Sequence, residues 1–384
     1  MAVRRARIGT VGLVAAAALT AASFTSPAAA GSGVGHARTQ AAMDAAVKDG
    51  VPGVAGQIKD GYSVWTGTSG VGNRTTGAPR SAFDRYRIGS MTKTFVATVL
   101  LQLQGEGKLD LDDKVDKWLP GVVQGNGNDG RRTTVRQLLN HTSGIPSYTA
   151  DPEFLENGFT EKFLEHRYDT YTPQQLVGIA MRYKPLFDPG AGWSYSNTNY
   201  TLAGMIVAKV TGHPYEDEIK QRIIQPLGLY ATSVPRTASS MPAPSSRAYS
   251  KLSLMPQPTG AVHDVTELNP SAAGSAGALI SDSGDLNRFY SALLGGKLLP
   301  AQQLKEMKTT VPVSGAGLIT DYGLGLMKFS PSCGVTVWGH GGNIQGSASQ
   351  AVTTADGKHS LAFNFNGDWA GNSQAVIEAE YCPK

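Results

Sequence analysis

The chain has 384 residues, 41% of them hydrophobic and 17% charged, which is enough for one large domain carrying an insertion or for two intimate lobes. Its formal net charge of +4 includes Arg4, Arg5 and Arg7 at the extreme N-terminus, so the rest of the surface is close to balanced. That balance gives no support to nucleic-acid binding, and the only two cysteines, Cys333 and Cys382, are too far apart for a zinc motif.

The three arginines precede an apolar run over 8–22, and Ala28-Ala29-Ala30 supplies the small residues of a cleavage site. Residues 1–30 therefore read as a secretory signal peptide, with a secreted mature domain over 31–384. The apolar run is shorter than the ~20 residues of a spanning helix, and no stable membrane span is expected in the mature chain. Export places Cys333 and Cys382 where a disulfide persists; their pairing is expected to tie the C-terminus to a strand near the site and to contribute ~3 to 4 kcal/mol.

Residues 38–48 predict an amphipathic helix, and 53–59 and 62–66 predict strands joined at Asp60-Gly61, a hairpin signal. Ser90-Met91-Thr92-Lys93 then opens an apolar helix. In it Met91, Phe95, Val96, Val99, Leu100 and Leu103 recur at spacings of three and four, predicting one buried stripe. From 108 to about 270 the pattern is helical with long loops, including helices over 135–140, 173–182, 200–210 and 215–224. Pro- and Ser-rich 235–258 reads as a surface connection near the cleft that helps choose substrates. A helix over 286–294, strands over 335–340, 347–354 and 359–366, and a helix over 374–381 complete the chain. The fold class is α/β (α+β). An antiparallel sheet flanked by helices comes from about 31–107 and 271–384, with an all-helical lobe inserted over about 108–270.

Ser90 and Lys93, three apart at a helix N-terminus, have the layout of an activated acyl-transfer nucleophile, because the first turn carries partial positive charge and unpaired NH groups where an oxyanion forms. Tyr195-Ser196-Asn197 lies in a polar loop leading into an apolar helix, and His340-Gly341-Gly342 ends a predicted strand. S-x-x-K, Y-x-N and H-x-G each occur once, in that order. The combination resembles the serine β-lactamase and penicillin-binding protein superfamily, specifically the group of class C β-lactamases, secreted D-Ala-D-Ala carboxypeptidases, D-aminopeptidases and related esterases. Arg87-Ile88-Gly89-Ser90, Gly107-Lys108-Leu109-Asp110-Leu111-Asp112-Asp113, His141-Thr142-Ser143-Gly144 and Tyr322-Gly323-Leu324-Gly325 extend the likeness over nearly all of the mature chain. It is closest to the secreted D-Ala-D-Ala carboxypeptidases.

This resemblance implies a β-lactamase/transpeptidase-like fold and an acyl-enzyme on Ser90. The proton passes through Lys93 and Tyr195. We favour Tyr195 as carrier and Lys93 as its electrostatic partner, although the residues alone do not separate the two. Asn197 is implied to bond the substrate's amide carbonyl and steady Lys93. His340, Gly341, Gly342 and Asn343 would form the substrate-binding strand, with the amides of Ser90 and Asn343 as oxyanion hole. Two departures bear on substrate. Carboxypeptidases of this group commonly read H-T-G-T where this chain has His340-Gly341-Gly342-Asn343, and an arginine often stands where this chain has Met327. These leave room for an ester, a D-amino acid amide, or a peptide whose carboxylate is bound differently.

No cofactor or metal is expected. Gly125-Asn126-Gly127-Asn128-Asp129-Gly130 matches a nucleotide-loop pattern only by letters, and Asp110, Asp112 and Asp113 lack the glycine and glutamate of a calcium loop. The expected partners are a small peptide, ester or β-lactam, with peptidoglycan as a source, acting on a monomer. The rivals to a D-Ala-D-Ala carboxypeptidase are a class C-like β-lactamase, an esterase or D-aminopeptidase, and a non-catalytic penicillin sensor or binding module.

Overall fold

The computed structural model describes residues 35–256 and 258–382, so the expected signal peptide over 1–30 lies outside the described residues. Helix α1 (Ala37–Lys48) leads into strands β1 (Gly53–Asp60) and β2 (Ser63–Gly70). Asp60 pairs with Ser63 across a tight turn in which Gly61 takes φ +57°, the left-handed geometry that glycine adopts without a steric penalty. The chain then forms helix α2 (Thr92–Gly105), the helices of the insertion including α3 (Asn197–Thr211), and helix α4 (Ser283–Leu294). Strands β3 (Val311–Ala316), β4 (Ile319–Tyr322), β5 (Met327–Phe329), β6 (Val337–Ile344), β7 (Ser347–Thr354) and β8 (His359–Phe365) follow, and helix α5 (Ser373–Tyr381) comes last.

The eight strands make one antiparallel sheet in the order β2-β1-β8-β7-β6-β5-β4-β3. One face buries Met43 of α1 and Val376 and Ile377 of α5 against Val54, Ile58, Val352 and Phe363. The opposite face meets α4, whose Phe289 stacks on Phe95 of α2 with ring centroids 3.7 Å apart. Deleting either ring would cost about 3–5 kcal/mol, the usual penalty for a large buried aromatic.

Several expectations need correction. Helix α2 is buried on all sides, Thr92 through Leu101 together with Leu103, so its apolar stripe understates its burial. The strand at His340-Gly341-Gly342 does not end there but runs on to Ile344, because each residue finds a partner on β7 down to Ile344 opposite Ser347. Strands β3 and β4 form a short edge hairpin about Gly317 (φ +64°), too brief and mixed in composition to give a period-two signal. The inserted region is not all helical: Gln124–Gly125 pairs with Asn128–Asp129, and Tyr249–Ser250 with His263–Asp264. The helix expected over 215–224 changes to a π-helical turn at Lys220–Ile224, just ahead of Pro226, which lacks the N–H that would continue the α ladder.

Glu380 of α5 gathers both ends of the chain, accepting from Thr39 Oγ1 at 2.6 Å and meeting His36 Nδ1 at 3.1 Å and His359 Nε2 at 2.6 Å. Cys333 and Cys382 form a disulfide with Cα atoms 5.5 Å apart. It joins the turn before β6 to the end of α5, at the end of β6 remote from Asn343 and not beside the site. The bridge closes a loop of 49 residues, and constraining that loop in the unfolded chain stabilises the fold by about 3 to 4 kcal/mol. Replacing both cysteines by serine is expected to lower urea-unfolding stability by about that amount; an unchanged midpoint would show that the bridge adds nothing.

Candidate active site

Gly89 (φ +51°) turns the backbone into a short 3-10 segment, Gly89–Met91, that delivers Ser90 to the first turn of α2. Ser90 is half-buried and lines a cleft, whereas Lys93 beneath it is completely buried. Lys93 Nζ contacts Ser90 Oγ at 2.9 Å, Asn197 Oδ1 at 2.8 Å and the carbonyl of Ala276 at 2.8 Å. The last two partners can only accept, and the hydroxyl can do either. A neutral amine is therefore fully satisfied here, its two N–H bonds going to Asn197 and Ala276 and its lone pair taking the Ser90 proton. Burial pushes the Lys93 pKa well below the usual lysine value, which favours that neutral form.

The Tyr195 ring covers the amine, with Nζ 4.7 Å from its centroid. Its hydroxyl is buried and has no hydrogen-bond partner of ordinary geometry among the described residues, and burial pushes its pKa up, with the Ser90 hydroxyl as the chief group working against the rise. At rest Tyr195 is a neutral phenol. Beneath it His141 (φ +61°) lies 4.3 Å away ring to ring. His141 Nδ1 faces two donors, the Ser196 amide at 3.2 Å and Asn199 Nδ2 at 3.1 Å, the Asn199 amide being oriented by Ser143 Oγ on its Oδ1 at 2.7 Å. This assigns the His141 proton to Nε2, and burial, followed by the nearby Lys93 and His340, holds the ring neutral.

Asn197 opens α3, its backbone N–H on Ser147 Oγ at 3.1 Å and its Nδ2 on Thr149 Oγ1 at 3.2 Å. With Ser90 and Asn343 it lines the cleft. His340, expected at the substrate-binding strand, is instead fully buried. Its Nδ1 is bonded to the Gly341 carbonyl and its Nε2 takes the Tyr322 hydroxyl at 2.9 Å, so it braces the strand from behind. Gly341 and Gly342 act through what they lack. A Cβ at Gly341 would stand 2.8 Å from the Gln350 side chain. A Cβ at Gly342 would lie 1.9 Å from the Ile88 carbonyl oxygen and 3.1 Å from the Ser90 nitrogen, while one at Gly89 would lie 2.9 Å from the Asn343 nitrogen. The two glycines thus let β6 close onto the Ser90 turn, bringing together the amides of Ser90 and Asn343.

The cleft walls come from 148–171 and 268–277, with Tyr148, Phe154, Phe163 and Leu268 as apolar surface and His166, Arg167 and Asp169 as its charged or titratable side chains. These are absent from the sequence reading, as is the Ala276 carbonyl. A backbone acceptor has no residue-type signature, and the aromatic residues read only as core. His141 was visible as part of a family segment but carried no role. No described residue of the 235–258 connection lines this cleft; its Met241, Ser246 and Ala248 border a separate small cavity.

A serine hydroxyl touching a buried lysine amine at a helix N-terminus, with a phenol over the pair and two backbone amides in front, is the apparatus of a serine hydrolase that works through an acyl-enzyme. The beta-lactamase family model matches residues 37–375, and the chain belongs to that family, within the serine β-lactamase and penicillin-binding protein superfamily. A D-stereospecific amidohydrolase from Streptomyces sp. is 62% identical with a TM-score of 0.86, covering 90% of this chain and 98% of that one. A D-amino acid amidase from Ochrobactrum anthropi SV3, complexed with D-phenylalanine, is 29% identical with a TM-score of 0.78, covering 90% and 97%. A penicillin-binding protein of Bacillus subtilis (strain 168) is 29% identical over 322 residues, 81% of this chain and 67% of its own length.

Gly342→Ala forces a Cβ against backbone on a rigid turn, so kcat/KM on any ester substrate is expected to fall by about 100-fold or more with the fold retained by circular dichroism. Activity near wild type would mean that β6 and the Ser90 turn need no close approach. His340 provides a second check. Burial, then Lys93, depresses its pKa from 6.5 to about 3, so between those values the unfolded chain takes up a proton that the folded chain refuses. Stability should therefore fall as pH drops from 6.5 toward 3, by roughly a few kcal/mol from this group. Urea titrations of His340→Gln across that range should give a shallower loss, and an unaltered slope would remove His340 as the cause.

Proposed function

We propose that this chain is an exported, monomeric hydrolase of amide or ester bonds whose acyl group is a D-amino acid, and that it acts as a D-amidase or D-aminopeptidase. The observation that carries this reading is that, among the described residues, neither Met327 nor Lys328 offers the cleft a cation. Met327 packs into the core on the α1–α5 face of the sheet, and Lys328 is engaged with Asp321 at 3.2 Å. Arg167, the arginine lining the cleft, spends its Nε and Nη1 on the carbonyls of Glu267 at 2.7 Å and Asp264 at 3.3 Å. A leaving group without a free carboxylate suits such a cleft. The 62% identity to a D-stereospecific amidohydrolase supports the same stereochemistry and bond type. A D-Ala-D-Ala carboxypeptidase acting on peptidoglycan peptides is the second reading, favoured by the likeness to a penicillin-binding protein.

In the proposed cycle Ser90 Oγ attacks the carbonyl carbon and its proton passes to the neutral Lys93 amine. The oxyanion is held by the amides of Ser90 and Asn343. The Tyr195 hydroxyl protonates the departing amine and is reprotonated from Lys93. Water then attacks the ester on Ser90 by the same route in reverse, releasing the acid and restoring the serine hydroxyl. This order departs from the expectation that Tyr195 starts as the base, since Lys93 is the group in direct contact with Ser90 and Tyr195 is the one whose proton is held more tightly.

Purified enzyme is expected to hydrolyse D-phenylalanine amide at least about 100-fold faster than its L-enantiomer, with Ser90→Ala and Lys93→Met each losing about 1,000-fold or more. Because the neutral amine is required, kcat/KM should rise with pH through a midpoint well below the ordinary lysine value and be lost as pH falls through it. Equal rates on both enantiomers, or preferred release of D-alanine from a peptide ending in D-Ala-D-Ala, would overturn the reading. Intact mass after benzylpenicillin treatment separates the alternatives further: a lasting adduct confined to protein with Ser90 points to a penicillin-sensitive peptidase, and rapid drug consumption to a β-lactamase.

A further inference from the structure

The cleft beside Ser90 adjoins a second space that is larger than itself. The cleft's own volume is about 110 Å³, below the roughly 150 Å³ of a cavity that takes up one benzene molecule, so it has room for a single aryl side chain and little more. The neighbouring groove, bordered by Glu153, Gln175, Ile179 and Arg182, holds about 420 Å³. Among the described residues, Phe154, Asn157 and Tyr171 line both spaces. Two of these three are aromatic, and their rings touch, with centroids 5.7 Å apart. Tyr148 packs edge-on against Phe154 at 5.0 Å, so the three rings form a row. That row begins beside the chemistry: Thr149, next to Tyr148, accepts from Nδ2 of Asn197 at 3.2 Å, and Asn197 Oδ1 holds Lys93.

The two rings of the shared wall are carried by separately anchored segments. Phe154, in the helix Pro152–Phe159, donates its N–H to Asp151 Oδ1 at 2.9 Å, and Asp151 Oδ2 takes Arg182 Nη2 at 2.9 Å and the Tyr183 hydroxyl at 2.6 Å. Tyr171 donates its N–H to Ser271 Oγ at 3.0 Å. We propose that Phe154 and Tyr171 form a partition that sets the size of the acyl group. A D-residue whose side chain is no larger than one aromatic ring fits in front of the pair, and a two-ring side chain is stopped by it. This inference rests on the reading of the acyl group as a D-amino acid and adds the class of side chain accepted. A packed wall of this kind discriminates steeply, because a close-packed interior feels a change of even one methylene. The space behind it is already open, so removing one ring joins the groove to the cleft instead of leaving a closed void.

The test compares D-phenylalanine amide with 4-phenyl-D-phenylalanine amide on the intact protein. Wild type is expected to show a kcat/KM at least about 100-fold lower on the two-ring substrate. Phe154→Ala should raise kcat/KM on that substrate by about 10-fold or more while lowering it on D-phenylalanine amide, a gain that damage to the fold cannot produce. Equal rates of wild type on both amides overturn the proposal, as does a parallel loss of both in the variant. Should Phe154→Ala fail to fold by circular dichroism, Tyr171→Ala carries the same expectation, and the wild-type comparison decides in either case. The p-nitrophenyl esters of phenylacetic and 4-biphenylacetic acid, which need only acylation of Ser90, keep the two readings apart. A size limit on these esters without hydrolysis of any D-amide would sink the D-amino acid reading alone, whereas D-amide hydrolysis without a size limit would sink the partition alone.

Discussion

A lysine amine held entirely out of water is the constraint around which the structure is arranged. Burying an unpaired amine is costly, and the molecule surrounds Lys93 Nζ with three oxygen partners, one from its own helical turn and two from distant stretches of chain. One is the Ser90 hydroxyl, one opens α3 and one is the carbonyl of Ala276. The burial of α2 on all sides follows from this demand, since a helix with a wet face near its first turn could not keep that amine dry. Tyr195 completes the enclosure, and His141, itself neutral and buried, fixes the loop that carries Tyr195 through the Ser196 amide.

The cluster about Ser90 was legible because its signal is local. Ser90 and Lys93 lie within one helical turn, Tyr195 and Asn197 within one loop, and each type has a distinct chemical reason to stand there. The order of strands and helices around them could be read from periodicity where the elements are long: α1, α2, β1, β7 and β8 all lie close to their expected spans. Legibility failed where meaning depends on a remote partner. His340 reads as a strand-end ligand until Tyr322 is found on its far nitrogen and Gly341 on its near one. Gly342 reads as part of the substrate-binding strand, although what a side chain there would meet is the Ile88 carbonyl. The cleft walls of 148–171 are aromatic residues whose exposure to a cavity cannot be told from burial in a core by spacing alone.

The same distinction applies to substrate. The groups gathered about Ser90 would serve any acyl transfer, so they carry no information about a leaving group. What distinguishes this member of the family lies at the periphery: Met327 turned into the core, Lys328 engaged with Asp321, and Arg167 tied to backbone carbonyls. The first is no cation, the second is paired with an acid, and the third is oriented by backbone while keeping its charge at the cleft. Specificity on such a scaffold can change through these outlying positions without touching Ser90, Lys93 or Tyr195.

The pairing of β1 with β8 has a consequence for how the molecule comes to be folded. Val54 faces Phe365 and Asp60 faces His359, so a strand made near the beginning of synthesis waits some 300 residues for its neighbour. Until then its inner edge is open and the sheet has no middle. Contacts so distant in sequence close slowly, because the entropy of a long loop is lost before the pairing is gained. The nascent chain can therefore hold the β1–β2 hairpin and the first turns of α2 before the sheet exists, and the sheet closes only when β8 is made.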